Sequence, residues 1–308
     1  MGLFLLKGII PAVVLPMDSK FQPDLDEYVR YLKWVKSAGV TGVAVNVDTG
    51  EGPTLTAEER QVVTSAAKKA LGSDLMLVSG ILGSSTDSAV KCAREAKQSG
   101  ADAGLVFPNS AFFGYPLEPE MPVEYHRRIS VDADLKIILF QLQPALGGVE
   151  FSSKTLLELS KIPGTIAIKE ALFDAKKFVD TLRLFRDSAP NVSFLTGNDN
   201  FIFESFVLGC DGALIGFGTP PTRDLVKMFD LVQEGRVKEA SEIRERVQPL
   251  ADVIYGSPVR NYRARTKYAL SAMGVISEKS TYMRPPLMSI SEAEKYAVKD
   301  ALKKAELL

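Results

Sequence analysis

One lysine stands where its amine can act as a nucleophile. Lys169 ends the run Thr165-Ile166-Ala167-Ile168-Lys169 and shares the alternate face with Thr165 and Ala167. If that run is a strand of a closed sheet, a stem directed inward loses solvent, which lowers the amine's pKa and favours the neutral form. A neutral amine adds to a ketone or aldehyde, and the resulting imine is an electron sink for C–C cleavage or dehydration. The same position also suits an ammonium that snorkels to solvent or pairs with Glu170, and spacing alone leaves both open. A second candidate is Asp48-Thr49-Gly50-Glu51-Gly52, whose hydroxyl and backbone N–H groups suit an oxyanion. Taken alone, it reads better as a loop leading to the helix cap at Thr56. The single histidine, His126, argues against a His-based metal site or a Ser-His-Asp triad. It lies in a helical pattern, as a surface or internally satisfied residue would. Cys92 and Cys210 cannot build a disulfide framework and read as reduced, buried thiols. Trp34 reads as core.

These residues need elements to hold them. Apolar runs at 9–15, 41–47, 74–80, 103–107, 136–140, 165–169, 192–196 and 212–216 predict eight strands. Helical patterns at 25–39, 56–72, 85–100, 153–161 and 174–188 fall between them. Thr56 followed by Glu59 predicts a capping box. Strands alternating with helices predict a parallel sheet, either an open doubly wound one or a closed (β/α)8 barrel. The count of eight favours the barrel, as does the lack of a Gly-x-Gly-x-x-Gly turn after an early strand. So does the alternation within strands: Gly42, Ala44, Asn46 and Asp48 share one face, while Val43, Val45 and Val47 share the other. The predicted fold is therefore an α/β TIM barrel over residues 1–222. A helical extension, 223–308, follows and packs on it.

Composition narrows the classes of function. The 308 residues carry 37 Lys+Arg against 38 Asp+Glu, so net charge gives no case for nucleic acid or an anionic membrane. With 46% hydrophobic residues the chain can build a large core, yet no apolar run reaches the ~18 residues of a membrane span. The N-terminal MGLFLLKGIIPAVVLP is broken by Lys7 and Pro11 and reads as a first buried strand rather than a leader. A soluble, cytoplasmic enzyme or binder of small molecules is expected.

Several motifs, in order, resemble the dihydrodipicolinate synthase / N-acetylneuraminate lyase family of lysine-imine aldolases. GIIPAVVLPM is similar to that family's opening strand, and NVDTGEGPTLTAEER to its Gly-Thr-Thr-Gly-Glu segment with the Leu-(Ser/Thr)-x-x-Glu that follows. GTIAIKEAL resembles the strand bearing the imine-forming lysine, and FLTGNDNFIFESFVLGCDGALIG the Gly-(Asp/Asn)-Asp segment with the eighth strand. The resemblance implies a barrel with a three-helix C-terminal extension, a homotetramer built as a dimer of dimers, and a 2-oxo acid, commonly pyruvate, held as an imine on Lys169. It implies substrate contacts at Thr49, Gly50, Phe140, Asn198 and Ile215. No metal or organic cofactor is implied, because the imine is the electron sink.

The departures matter as much. The family's tyrosine at the end of strand five relays protons; here the place is held by Phe140, which has no hydroxyl to do so. The first threonine of the Gly-Thr-Thr-Gly-Glu segment is Asp48, whose charge would repel a substrate carboxylate. Two roles stay open for Asp48. Strand parity and burial beside Phe140 would make it an acid/base, or it hydrogen-bonds a substrate group or the loop. The tyrosine that the family takes from a neighbouring subunit has Phe112, Phe113 and Tyr115 as candidates. PALGGVE lacks the synthase's arginine, which disfavours aspartate semialdehyde as substrate and lysine biosynthesis as the role. The reading is a Schiff-base lyase of aldolase type acting on a small 2-oxo acid, with Lys169 as nucleophile. The alternatives are an imine-dependent dehydratase or deaminase on a sugar acid or cyclic imino acid, and a barrel that binds a metabolite without turning it over.

Overall fold

Short apolar runs separated by amphipathic helices bury both faces of every strand only when the sheet closes on itself inside a ring of helices. The computed structural model, which describes residues 6–114 and 116–308, has that arrangement. Its eight parallel strands are β1 (Gly8–Pro11), β2 (Gly42–Val45), β3 (Met76–Ile81), β4 (Ala103–Val106), β5 (Lys136–Leu142), β6 (Thr165–Ala171), β7 (Ser193–Thr196) and β8 (Gly212–Ile215). They run β1-β8-β7-β6-β5-β4-β3-β2 around the sheet. Closure between β1 and β2 comes from Thr41 N–H to the Ile9 carbonyl at 3.0 Å and Val13 N–H to the Ala44 carbonyl at 3.1 Å. The expected barrel is the observed one.

The ring is α1 (Leu25–Lys36), α2 (Ala57–Leu71), α3 (Thr86–Gln98), α4 (Glu120–Ala133), α5 (Ser153–Ser160), α6 (Ala175–Ser188), α7 (Ile202–Val207) and α8 (Thr222–Gln233). Thr56 and Glu59 form the expected capping box on α2, each side chain taking the other's backbone N–H. α8 packs Leu225, Met228 and Phe229 into the core outside the strands and completes the ring. Beyond it lie three further helices, α9 (Val237–Tyr255), α10 (Tyr262–Ala272) and α11 (Glu292–Lys304). No helix among the described residues is long and apolar enough to cross a membrane.

Two apolar layers show which way each strand residue points. Ile10, Ala44, Val78, Leu105, Ile138, Ala167 and Leu214 fill the barrel. Ile9, Ile137, Ile168, Phe194 and Ile215 pack outward against the helices. Two breaks in alternation correct the sequence expectation. β2 alternates only as far as Val45. Asn46 then takes a left-handed backbone, φ 54°, which Asn tolerates better than most residues. Its amide turns out of the barrel to the Thr64 hydroxyl at 2.8 Å and the Arg60 carbonyl at 3.0 Å, while Val47 turns in. In β6 the pairing with β5 skips Ile166, which packs against the barrel interior, so alternation is regular only from Ala167 onward.

The remaining polar candidates are structural. His126 is buried, its Nδ1 2.7 Å from the Pro122 carbonyl, and burial pulls its imidazole down to about 4. Burial pushes the Cys210 thiol up to about 12, which makes it a poor nucleophile.

Candidate active site

Lys169 lies near the C-terminal end of β6 with Ala167 and Ala171 on the same, inward face. Across the sheet it is level with Phe140 of β5 and Leu195 of β7. Its Nζ sits 4.5 Å from the centroid of the Phe140 ring, which is itself wedged edge-on against Phe107. The stem passes so close to β7 that a Cβ at Gly197 would stand 2.5 Å from Lys169 Cε and 2.9 Å from Ala171 Cβ. Burial brings the Lys169 amine down to about 8, although the carboxylates of Asp199 and Asp48 pull the other way. Glu170, the alternative ion-pair partner, faces outward. Its carboxylate accepts from Asn198 Nδ2 at 2.6 Å and from Leu172 N–H at 3.1 Å, and burial lifts it to about 7.

The loop after β2 has a firmer architecture than its glycines suggest. Gly50 and Gly52 N–H both close on the Val47 carbonyl, and Glu51 N–H closes on that of Asp48. The Gly50 N–H is thus engaged within the loop. Thr49 does remain: it is buried, with its hydroxyl 3.3 Å from that of Tyr262 on α10. Asp48 is not buried beside Phe140, as the parity argument required, because β2 ends before it. Its side chain is 49% exposed, ion-paired with Arg263, and takes a hydrogen bond from the Tyr262 hydroxyl at 2.8 Å. Arg263 also donates to the Asp48 carbonyl at 2.7 Å.

Two other residues expected at the substrate have their side chains engaged within the protein. Asn198 is fully buried and spends its amide on the protein, Nδ2 donating to Glu170 and Oδ1 accepting from Phe173 N–H at 2.7 Å. Ile215 is fully buried in the layer between strands and helices, so its side chain faces away from the barrel mouth. Of the aromatic candidates after β4, Phe112 packs edge-on against Tyr125, Phe113 is 53% exposed, and Tyr115 lies outside the described residues.

Two residues at this mouth were given no role by the sequence. Asp199, just beyond β7, is buried with Oδ1 accepting from Phe217 N–H at 2.8 Å. Burial raises its carboxyl to about 6, opposed by that N–H and by Lys169. Tyr255, the last residue of α9, sends its hydroxyl in beside Asp199, and burial holds the phenol well above its usual range. Its ring stacks on Tyr262, centroids 5.0 Å apart and planes 17° apart. Asp199 had the only signal available, a carboxylate at the end of a barrel strand.

Together the groups form a half-enclosed amine, a phenyl wall, a threonine hydroxyl and a carboxyl–phenol pair at one barrel mouth. That set can bind and polarise a small carbonyl compound.

The sequence matches the Dihydrodipicolinate synthetase family over residues 5–305. A 4-hydroxy-tetrahydrodipicolinate synthase of Kosmotoga olearia is 26% identical over 304 residues, covering 99% of this chain and 100% of that protein. An uncharacterized DapA-like lyase of Halobacterium salinarum is 28% identical over 303 residues, covering 98% and 95%. Among solved structures, the chloride-inhibited dihydrodipicolinate synthase of Acinetobacter baumannii, complexed with pyruvate, matches with a TM-score of 0.86. It is 22% identical, and the match covers 99% of this chain and 100% of that one.

Proposed function

The chain belongs to the dihydrodipicolinate synthetase family, and from that premise we propose that it is a lyase that captures a small 2-oxo acid, such as pyruvate, as an imine on Lys169. The observation that carries the reading is the state of that amine. It sits inside the barrel mouth against a phenyl ring, with its pKa brought down to about 8, so a useful fraction is neutral near pH 7. The pyruvate complex of the Acinetobacter relative supports the choice of ligand.

The chemistry follows from the parts. The Nζ lone pair attacks the C2 carbonyl carbon, the C=O π pair moves to oxygen, and that oxygen takes a proton. The nitrogen then loses a proton, which passes to that hydroxyl; its lone pair expels the group as water, and a cationic imine remains. The positive nitrogen draws in the electron pair of a bond at C3, breaking C–H or C–C to give an enamine. Thr49 supports the site as a hydroxyl donor to the substrate, and Phe140 excludes water from the imine. The segment after β5, Pro144–Glu150, brings no arginine for a second carboxylate. That favours an acceptor or product other than the synthase's.

The test is reductive trapping. Borohydride added to the protein with pyruvate and a panel of 2-oxo acids should give a stable adduct by intact mass, absent in Lys169→Ala. An adduct that survives Lys169→Ala, or no adduct with any carbonyl compound, would sink the reading and leave a metabolite-binding barrel.

A further inference from the structure

Imine chemistry moves protons at every step, and β5 supplies no group to carry them: Phe140, level with Lys169, ends in carbon. The C-terminal extension does supply one. The hydroxyl of Tyr255 is buried, and its nearest polar neighbour is the Asp199 carboxyl, which it meets without a hydrogen bond of ordinary geometry. Its seat is shaped for it: a Cβ on Gly216, directly after β8, would overlap the hydroxyl, and Thr49 Oγ1 would stand 3.2 Å from that same Cβ. The stack on Tyr262, itself tied to Asp48, fixes the ring. Asp199 lies close enough to act electrostatically on both Tyr255 and Lys169.

We propose that Tyr255 and Asp199 form the proton-carrying pair of the Lys169 site, the hydroxyl coming from the C-terminal extension because β5 presents only the phenyl ring of Phe140. This rests on the imine reading above. The Asp199 carboxylate takes the proton that the nitrogen gives up as the carbinolamine forms; in dehydration Tyr255 gives its proton to the departing hydroxyl while Asp199 restores the phenol, water leaves and Asp199 is again a carboxylate. In the next step the phenol oxygen takes a proton from C3 as its own passes to Asp199. The C–H pair becomes the C2=C3 bond and the C=N π pair returns to nitrogen. The phenol passes protons through without ever standing as a tyrosinate, which its buried place disfavours.

The experiment follows exchange of the pyruvate methyl protons in D2O by NMR, beside the borohydride end point, for wild type and Tyr255→Phe. Wild type should exchange and trap. Tyr255→Phe should still trap to the same end point, with exchange slowed on the order of 10²-fold, the usual worth of a placed acid/base. Gly216→Ala, which occupies the hydroxyl's seat and leaves Tyr255 intact, should slow exchange similarly and carries the test if Tyr255→Phe does not fold. Exchange within about threefold of wild type, far short of the roughly 10²–10⁴-fold that a placed acid or base contributes, would overturn the pair while leaving the imine intact. A wild-type protein that never traps pyruvate overturns both.

Discussion

At the scale of single residues, Lys169 is held between two influences of opposite sign. Burial favours the neutral amine, while the Asp199 and Asp48 carboxylates favour the ammonium, and burial wins. Since the neutral amine attacks, the rate of adduct formation with pyruvate, trapped by cyanoborohydride, should rise about tenfold from pH 6 to pH 7 and bend near pH 8. Removing a carboxylate must lower the bend, because Asp199 stabilises the charged form: Asp199→Asn should move it to lower pH. A bend left near 10.5, the ordinary lysine value, would mean a solvated amine and a different nucleophile. The inward placement of Lys169 was legible because parity at the end of one strand suffices to give it. Tyr255 was not. A tyrosine ending a helix is an unremarkable core residue until the docking of that helix shows where the hydroxyl goes.

At the scale of elements, the site depends on how tightly β6 and β7 approach, and Gly197 sets that limit. Gly197→Ala would put a methyl 2.5 Å from Lys169 Cε and 2.9 Å from Ala171 Cβ, on the two side chains that define the inner face of β6. Overpacking of this kind costs about 1–3 kcal/mol, and here the lysine stem must leave its rotamer to relieve it. The expected result is a lower melting temperature together with a larger fall in trapping rate than stability explains; a variant that melts lower but traps at the wild-type rate would show that the stem has room. Hydrophobic alternation gave the strands and the inward lysine, and the Thr56–Glu59 spacing gave the capping box of α2, since each is a local pattern. It missed the left-handed turn at Asn46 and the skipped Ile166. A one-residue change in backbone reverses every later side chain without altering the pattern of residue types. The misplacement of Asp48 follows from the first of these. Gly50, Asn198 and Ile215 were carried over by likeness, and each is committed within the protein by hydrogen bonds or by packing that likeness does not report.

At the scale of the whole molecule, charge pairs bind the extension to the barrel mouth and make the two one unit. Arg263 holds Asp48, Arg284 of the segment after α10 grips Glu59 of α2 through both carboxylate oxygens at 2.7 Å, and Lys267 of α10 meets Glu51. The last pair has no solvent exposure on either side chain: Lys267 Nζ donates to Glu51 Oε1 at 2.6 Å and to the Tyr282 carbonyl at 2.7 Å, while Arg284 N–H donates to Glu51 Oε2 at 2.9 Å. Such a pair is weak support for net stability, because desolvating two charges offsets much of their attraction, but breaking it strands one charge in the interior. Lys267→Met should therefore cost about 3–5 kcal/mol, and adding Glu51→Gln should restore part of that loss by removing the stranded carboxylate. Because Glu51 belongs to the Asp48–Gly52 loop and Lys267 to the helix that carries Tyr262, the single variant should also loosen the Tyr255–Tyr262 stack. Its methyl exchange with pyruvate should fall even where the protein is folded. Chemical denaturation followed by Trp34 fluorescence, which reports the barrel, and by the exchange rate, which reports the mouth, distinguishes the cases. One coincident transition in wild type and two separated ones in Lys267→Met would mean that this buried pair couples extension to barrel, whereas coincident transitions in both would place the coupling in the remaining contacts.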